Sequence, residues 1–397
     1  MKPGTAEALV MTPEMALDPY AVYRELRERT PFAIARERRG PDGASEETLF
    51  WPLMRYADVY AALKDHETFS STNHGGGGPP LVLITDDPPR HTRFRKLVSR
   101  TFTPRRIAEV EPWIKETSDR LFDALPADEF DFVPAYTVPL PVQVISRILG
   151  IPGEDYQRFK RWTDSLLAFV DTESDAEAKL GDMREMAEYF GRMAIERREQ
   201  GAEDLITTIV QTETEDGRLS DGEAVGFCIL LLVAGNETTT NLMGNMVNHL
   251  AHDPGLFARV KADRTLVEPF IEEMVRYESP VQVLFRHTVK EAHLPSGGVI
   301  PAGQSVGVFF GAANRDPDGW PEPDTFRLDR NLKDHVGFGH GIHYCLGSPL
   351  ARAEARITLE NLLDRYAAIE PGAAPAIRQT NAPIVYGFRQ LPVVLRR

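Results

Sequence analysis

Three features of the 397-residue sequence predict a mainly α fold with small β-sheets. The first is a capping box, Ser220 with Glu223, which opens an apolar-periodic run that reaches about His252 and is closed by Pro254. At 1.5 Å per residue this is a helix of roughly 45–50 Å, long enough to cross the whole molecule. The second is the stretch from Ile107 to Val210, which reads as several amphipathic helices separated by turns at Pro134 to Pro141 and Gly150 to Gly153. The third is that strand-like runs are short and scattered: Phe32 to Arg36, Thr48 to Leu53, Val299 to Gly303 and Val306 to Phe310.

Taken in order, residues 1–18 are expected to be a flexible N-terminal segment and 19–397 a single domain. Pro19 to Arg29 has helical periodicity, and a second helix follows from Tyr56 to about Asp65. The glycine run Gly75 to Gly78 marks a loop. A helix begins after Pro88-Pro89 and carries His91 and Arg95 on one face, four residues apart. Within the long helix lies Ala234-Gly235-Asn236-Glu237-Thr238-Thr239-Thr240. There a Thr238 hydroxyl is placed to bond the Ala234 carbonyl and bend the helix. Val267 to Tyr277 is helical, with Glu273 and Arg276 at i,i+3, a spacing common in plain surface ion pairs. Pro280 to Arg286 reads as extended, and Ile384 to Tyr386 with Leu391 to Leu395 as a hairpin.

Composition narrows the function. A net charge of −14 argues against a general nucleic-acid binder. Two cysteines, Cys228 and Cys345, give no disulfide framework, so a cytoplasmic location is expected. The first residues hold no apolar core of signal-peptide length, and the longest apolar run, Phe227 to Ala234, is short for a membrane span. No membrane anchor is expected, and the chain is expected to be a monomer.

Phe338-Gly339-His340-Gly341-Ile342-His343-Tyr344-Cys345-Leu346-Gly347 places a cysteine inside a turn that is mostly glycine. Such a turn aims amide N–H groups at the sulfur, and the helix that Ser348-Pro349 opens adds its positive end. A buried structural cysteine and a zinc site of His340, His343 and Cys345 are both compatible with these residues, though zinc lacks a fourth ligand.

The pattern F-G-x-G-x-H-x-C-x-G resembles, at every fixed position, the haem-ligating loop of the cytochrome P450 family of haem-thiolate monooxygenases. A-G-x-E-T-T at Ala234, E-x-x-R at Glu273 and H-x-x-x-R at His91 also resemble that family's motifs. The resemblance covers the chain from about Pro19 onward and implies the cytochrome P450 fold, with haem between the long helix and the cysteine loop. It implies haem b with Cys345 as axial thiolate, framed by Phe338, Gly339, His343 and Gly347. It implies that His91, Arg95 and Arg286 bind propionates, that Glu237 and Thr238 deliver protons, and that Glu273 and Arg276 form a buried structural pair. The substrate pocket is expected from Leu83, Ile84, Ala234 and Asn236, together with Val283, Leu284, Phe285, Ile384 and Val385, with Gln282 as a further polar contact.

The activity implied is O2-dependent oxidation of a small lipophilic molecule, with electrons from a ferredoxin or flavodoxin and its NAD(P)H-dependent reductase. An acidic carrier would dock on the basic run Arg90, Arg93, Lys96, Arg100, Arg105 and Arg106, extended by Arg352 and Arg356. A peroxide-driven relative, a non-catalytic haem or ligand-binding protein and a zinc hydrolase are the alternatives.

Overall fold

The computed structural model describes residues 10–39, 45–72, 82–151, 156–168, 173–214 and 217–397. Its helices are α1 (Pro19–Arg27), α2 (Tyr56–Lys64), α3 (Arg90–Ser99), α4 (Pro104–Asp123), α5 (Pro139–Leu149), α6 (Tyr156–Leu167) and α7 (Glu173–Gln200). They continue with α8 (Leu205–Gln211), α9 (Asp221–His252), α10 (Pro254–Ala262), α11 (Val267–Tyr277), α12 (Phe310–Ala313) and α13 (Ser348–Arg365). The strands are β1 (Ile34–Arg39), β2 (Ser45–Leu53), β3 (Phe69–Ser70), β4 (Phe130–Asp131), β5 (Glu213–Thr214), β6 (Gly217–Arg218) and β7 (Val283–Thr288). The others are β8 (Ala292–His293), β9 (Val299–Ile300), β10 (Ser305–Phe309), β11 (Ala368–Pro371), β12 (Ile377–Arg378), β13 (Phe388–Gln390) and β14 (Pro392–Arg396).

Helix α9 is the axis of the fold. The Ser220 hydroxyl accepts from the Glu223 amide while the Glu223 carboxylate accepts from the Ser220 amide, so the capping box is present on both sides. Asp253 stops this helix, and its side chain caps α10 by accepting from Leu256. An apolar window of α9 is long enough to cross a membrane by composition, yet 67% of that window is buried inside the protein. Phe227, Cys228, Leu232, Met243 and Met246 on this helix are all fully enclosed in the main hydrophobic cluster. Burial on nearly every side explains why its apolar pattern runs around the helix.

The largest sheet has the order β1-β2-β10-β7-β3. β10 runs parallel to β2 and antiparallel to β7, with Val306 opposite both Trp51 and Arg286. This register sets Leu284, Phe285 and Arg286 opposite Val308, Gly307 and Val306.

Four expectations change. Pro134 to Pro141 is not a turn but a π-helical turn, Val133–Thr137, leading into α5, whose first-turn prolines lack only amides that have no intrahelical partner. The C-terminal hairpin does not form as drawn: β14 pairs with β11 and β4, while Val385 makes an isolated bridge to Val281. Phe310 begins a helix rather than ending a strand. Residues 10–18 are not loose, since Val10, Met11 and Met15 pack with Tyr23 and Phe309 in a cluster of their own. The glycine run at Gly75 to Gly78, the turn at Gly40 to Gly43 and Leu81 lie outside the described residues.

Candidate active site

The base of the site is one buried carboxylate. Glu273 accepts from Arg276 Nε and Nη2, both at 2.7 Å, and from the Arg327 amide at 2.8 Å and Arg330 Nε at 3.2 Å. Arg276 also donates to the carbonyls of Asn314 and Pro323, and both side chains are 0% exposed. Asn314 extends the network, accepting from the Val336 amide and donating to Ser279. Thus α11 fixes the strand of chain that enters the cysteine loop.

The loop itself is shaped by glycine. Gly339 and Gly341 have φ of 71° and 68°, and a Cβ on Gly341 would lie 2.4 Å from the Leu63 carbonyl oxygen. The Cys345 amide donates to Phe338 O at 2.8 Å, closing the turn. Burial pushes the Cys345 thiol up, while the amides of Gly347 and Ser348 and the charges of Arg95 and Arg352 pull it back. A thiol so placed loses its proton most readily to a bound cation. Arg352 lies over the Phe338 ring, 4.3 Å from its centroid, and grips Glu272 at 2.6 and 2.9 Å. Burial raises the Glu272 carboxyl, but Arg352 and His335 outweigh it and hold the group at about 2.

Around this loop stand two arginines, Arg95 and Arg286, and two histidines, His91 and His343, with Asp86 and Asp87 the acids that act on them. His91 and His343 meet ring to ring at 4.4 Å, and His343 Nε2 bonds Ser71 Oγ at 2.9 Å. Arg95 donates to Tyr344 O at 2.6 Å. Arg286 is buried, donates to its neighbour Phe285 O, and is lowered to about 10 by burial, with only Asp87 pulling it back. Burial, then Arg286, His91 and Arg95, lowers His343 to about 2. His91 Nε2 is buried with no partner, and among the described residues no carboxylate pairs with any of the four. A buried arginine, a second half-buried one and a buried His91 nitrogen without a partner are costly to leave so, and the cluster fits a ligand carrying carboxylates.

On the other side, Thr238 Oγ1 donates to Ala234 O at 2.8 Å, as its spacing predicts. Ala234 is exposed and Thr238 half-buried in a stretch where Val233, Asn236, Glu237 and Thr239 are buried. Phe285 is 47% exposed, and Leu284, Ile384 and Ile84 are partly so. Other pocket candidates are spent on packing. Val283 lies in the cluster with Tyr23 and Phe309, and Val385 is bridged and buried. Leu83 joins the main core. Gln282 serves Tyr23 and the Ser279 carbonyl, and Asn236 accepts from Thr240. These five are buried, whereas Ala234, Leu284, Phe285, Ile384 and Ile84 keep exposed surface, and Asn236 Nδ2 is left without a partner. Their extended or helical segments present two faces, and only packing decides which is inward.

One contact of a candidate site residue was not legible in the sequence. Lys160 on α6 donates to Glu237 at 2.9 Å and also binds Asp164 one turn on. Burial opposes the Lys160 charge, but Glu237 and Asp164 outweigh it and raise its pKa. The zinc reading fails on geometry. His340 stacks on Tyr60, and the described residues contain no group of three or more side chains able to hold a metal ion.

The sequence model described as Cytochrome P450 matches residues 135–387, well over half of the chain. The chain belongs to the cytochrome P450 family. It is 38% identical to the cytochrome P450 monooxygenase PikC of Streptomyces venezuelae, over 97% of this chain and 92% of that one. Among solved structures it resembles CYP109E1 from Bacillus megaterium in complex with testosterone, with a TM-score of 0.86, 34% identity, and coverage of 98% of this chain and 100% of that one. It resembles equally a mutant of P450 EryK in complex with erythromycin B, with a TM-score of 0.86, 32% identity, and 98% of each chain covered. This P450 is a haem-thiolate monooxygenase that uses haem b, and the two arginines and two histidines with the single loop cysteine suit that group's two propionates and its iron.

Proposed function

We propose that Cys345 is the axial ligand, that His91, Arg95, Arg286 and His343 hold the propionates, and that α9 supplies the proton path. The observation that carries this reading is the grouping of Arg95 and Arg286 with the His91 and His343 rings around Cys345, where the buried His91 Nε2 has no partner. Haem so held supplies oxygen activation with electrons delivered from outside. The Thr238 hydroxyl has its hydrogen committed to Ala234, so it presents lone pairs as an acceptor and must rotate to donate. Glu237 must leave Lys160 to hand a proton inward. Cys345→Ser should abolish the red-shifted absorption of the ferrous CO complex, since a serine hydroxyl is a far weaker iron ligand. An unchanged spectrum would remove the assignment.

The substrate is a lipophilic molecule of moderate size that meets Ala234, Leu284, Phe285 and Ile384. CYP109E1 holds testosterone and EryK holds erythromycin B, which supports that class. The redox partner is an acidic ferredoxin or flavodoxin in the cytoplasm. Ion pairing narrows its docking site. Arg90 meets Asp86 and Glu223; Arg105 and Arg106 meet Glu109; Arg352 meets Glu272; Arg356 meets Glu111 and Glu360. Lys96 and Arg100 are exposed, and among the described residues no acid pairs with either. Lys96→Glu with Arg100→Glu should slow reduction by such a carrier about tenfold at low salt and flatten its salt dependence. Native rates in that variant would place docking elsewhere.

A further inference from the structure

Helix α7 spends one side on the fold. Asp182 accepts from Arg161 at 3.0 Å, and Glu185 accepts from Arg158 at 2.9 Å and from the Trp162 indole at 3.1 Å, all three donors lying on α6. Met186, Phe190 and Ala194 are buried in the main hydrophobic cluster. The opposite side is not an ordinary solvated face. Leu180 and Ile195 are 50% and 53% exposed, two of the three most exposed large apolar side chains among the described residues. Arg184 and Glu188 are exposed too, and among the described residues neither meets an opposite charge. Between the two ends lie Ala187 and Gly191, and a Cβ on Gly191 would meet nothing within 4 Å. Glycine weakens a helix interior, and among the described residues no neighbour calls for one here.

At 3.6 residues per turn, Leu180, Arg184, Ala187, Glu188, Gly191 and Ile195 share about 100° of arc. Read from either end, this seam runs from a large apolar residue through small ones to another large apolar residue. An antiparallel pairing of two such helices, with a two-fold axis beside Ala187 and Glu188, sets Leu180 against Ile195 of the second copy and Arg184 against its Gly191. The glycine lets the arginine stem cross the second helix closely, and the guanidinium then reaches Glu188 of that copy. Symmetry makes each contact twice.

We infer that the outer face of α7 is a self-association surface, on which two copies of this chain pair antiparallel through Leu180, Arg184, Glu188, Gly191 and Ile195. Self-complementary charge argues for a second copy: the cation and the anion left over on one chain become partners across the two-fold axis. One pair of helices about 24 Å long lies at the small end of specific interfaces, so the dimer is weak and the monomer expected from the sequence prevails at dilution.

The test is sedimentation velocity on the haem-loaded full chain between about 5 and about 500 µM, where the native protein should move from monomer toward dimer. Arg184→Glu alone, or Glu188→Arg alone, sets like charges together and should weaken association about tenfold. An equal mixture of these two variants should restore it, since each helix then supplies the charge that the other lacks, a result that pairing within one helix cannot give. Ile195→Glu should abolish the dimer by placing a charge at each end of the seam. All these positions are exposed, and native haem absorption in each variant checks that the fold is intact. A native chain that stays monomeric at the highest concentration would overturn the proposal, as would association that Ile195→Glu leaves unchanged. A mixture of the two charge variants that stays monomeric would overturn the antiparallel pairing.

Discussion

The two sides of the cysteine loop are built on opposite electrostatic plans. Beneath it, Glu273 and Glu272 are each surrounded by donors: Arg276, Arg330 and the Arg327 amide for one, Arg352 and His335 for the other. Above it, on α9 and α6, one ammonium is shared between two carboxylates, with Lys160 serving both Glu237 and Asp164. The lower side has more donors than acids and is locked. The upper side has more acids than cations, so one carboxylate can be released at small cost. A fixed ligand needs the first plan, and a group that must move protons needs the second.

The largest way to break this contrast is Glu273→Gln. Removing one member of a fully buried ion pair leaves the Arg276 charge unmatched and should cost about 3–5 kcal/mol. Denaturant unfolding should show it, together with loss of haem on purification. A cost near zero would show that the carbonyls of Asn314 and Pro323 alone satisfy Arg276. A smaller break is Lys160→Met, which strands Glu237 and should cost about 1–3 kcal/mol. It should also alter product formed per NAD(P)H consumed; native stability and native coupling together would make the tether incidental.

The gentlest break is in pH. Burial and Glu237 raise the Asp164 carboxyl, with Lys160 opposing, so the folded protein takes up this proton before the unfolded chain does. Its contribution to stability therefore falls as pH rises from the unfolded carboxyl value, about 3.9, through the raised one. Glu272 has the opposite sign. Its folded value of about 2 gives stability that is complete above the unfolded value and is lost as pH falls toward 2. Urea unfolding across acid to neutral pH should show Asp164→Asn removing a downward slope and Glu272→Gln removing an upward one. Slopes of the same sign in both variants would erase the distinction between the two sides.

How much of this was legible in the sequence follows from distance along the chain. The capping box, the Thr238 bond to Ala234 and the Glu273–Arg276 pair each lie within four residues, so spacing alone exposes them. The cysteine loop is legible for the same reason. The partners of Arg276, at Asn314 and Pro323, and the tether from Lys160 to Glu237 join segments far apart, and no local pattern encodes them. The basic run from Arg90 to Arg106 shows the complementary failure. As a string it is uniformly cationic; Asp86 and Glu109 flank it at helical spacing, folding adds the distant Glu223, and Lys96 and Arg100 are left exposed with no acid against either among the described residues.

Gly341 carries a consequence for how the molecule is assembled. Its backbone sits so close to Leu63 O that any side chain would collide with the last turn of α2. Two segments separated by most of the chain thus meet with no clearance, as parts ground to fit. In a close-packed interior such a joint transmits displacement rather than absorbing it. A shift of α2 reaches the cysteine loop as a shift of the loop itself, and the sulfur of Cys345 is held to the tolerance of a helix about 280 residues away along the chain.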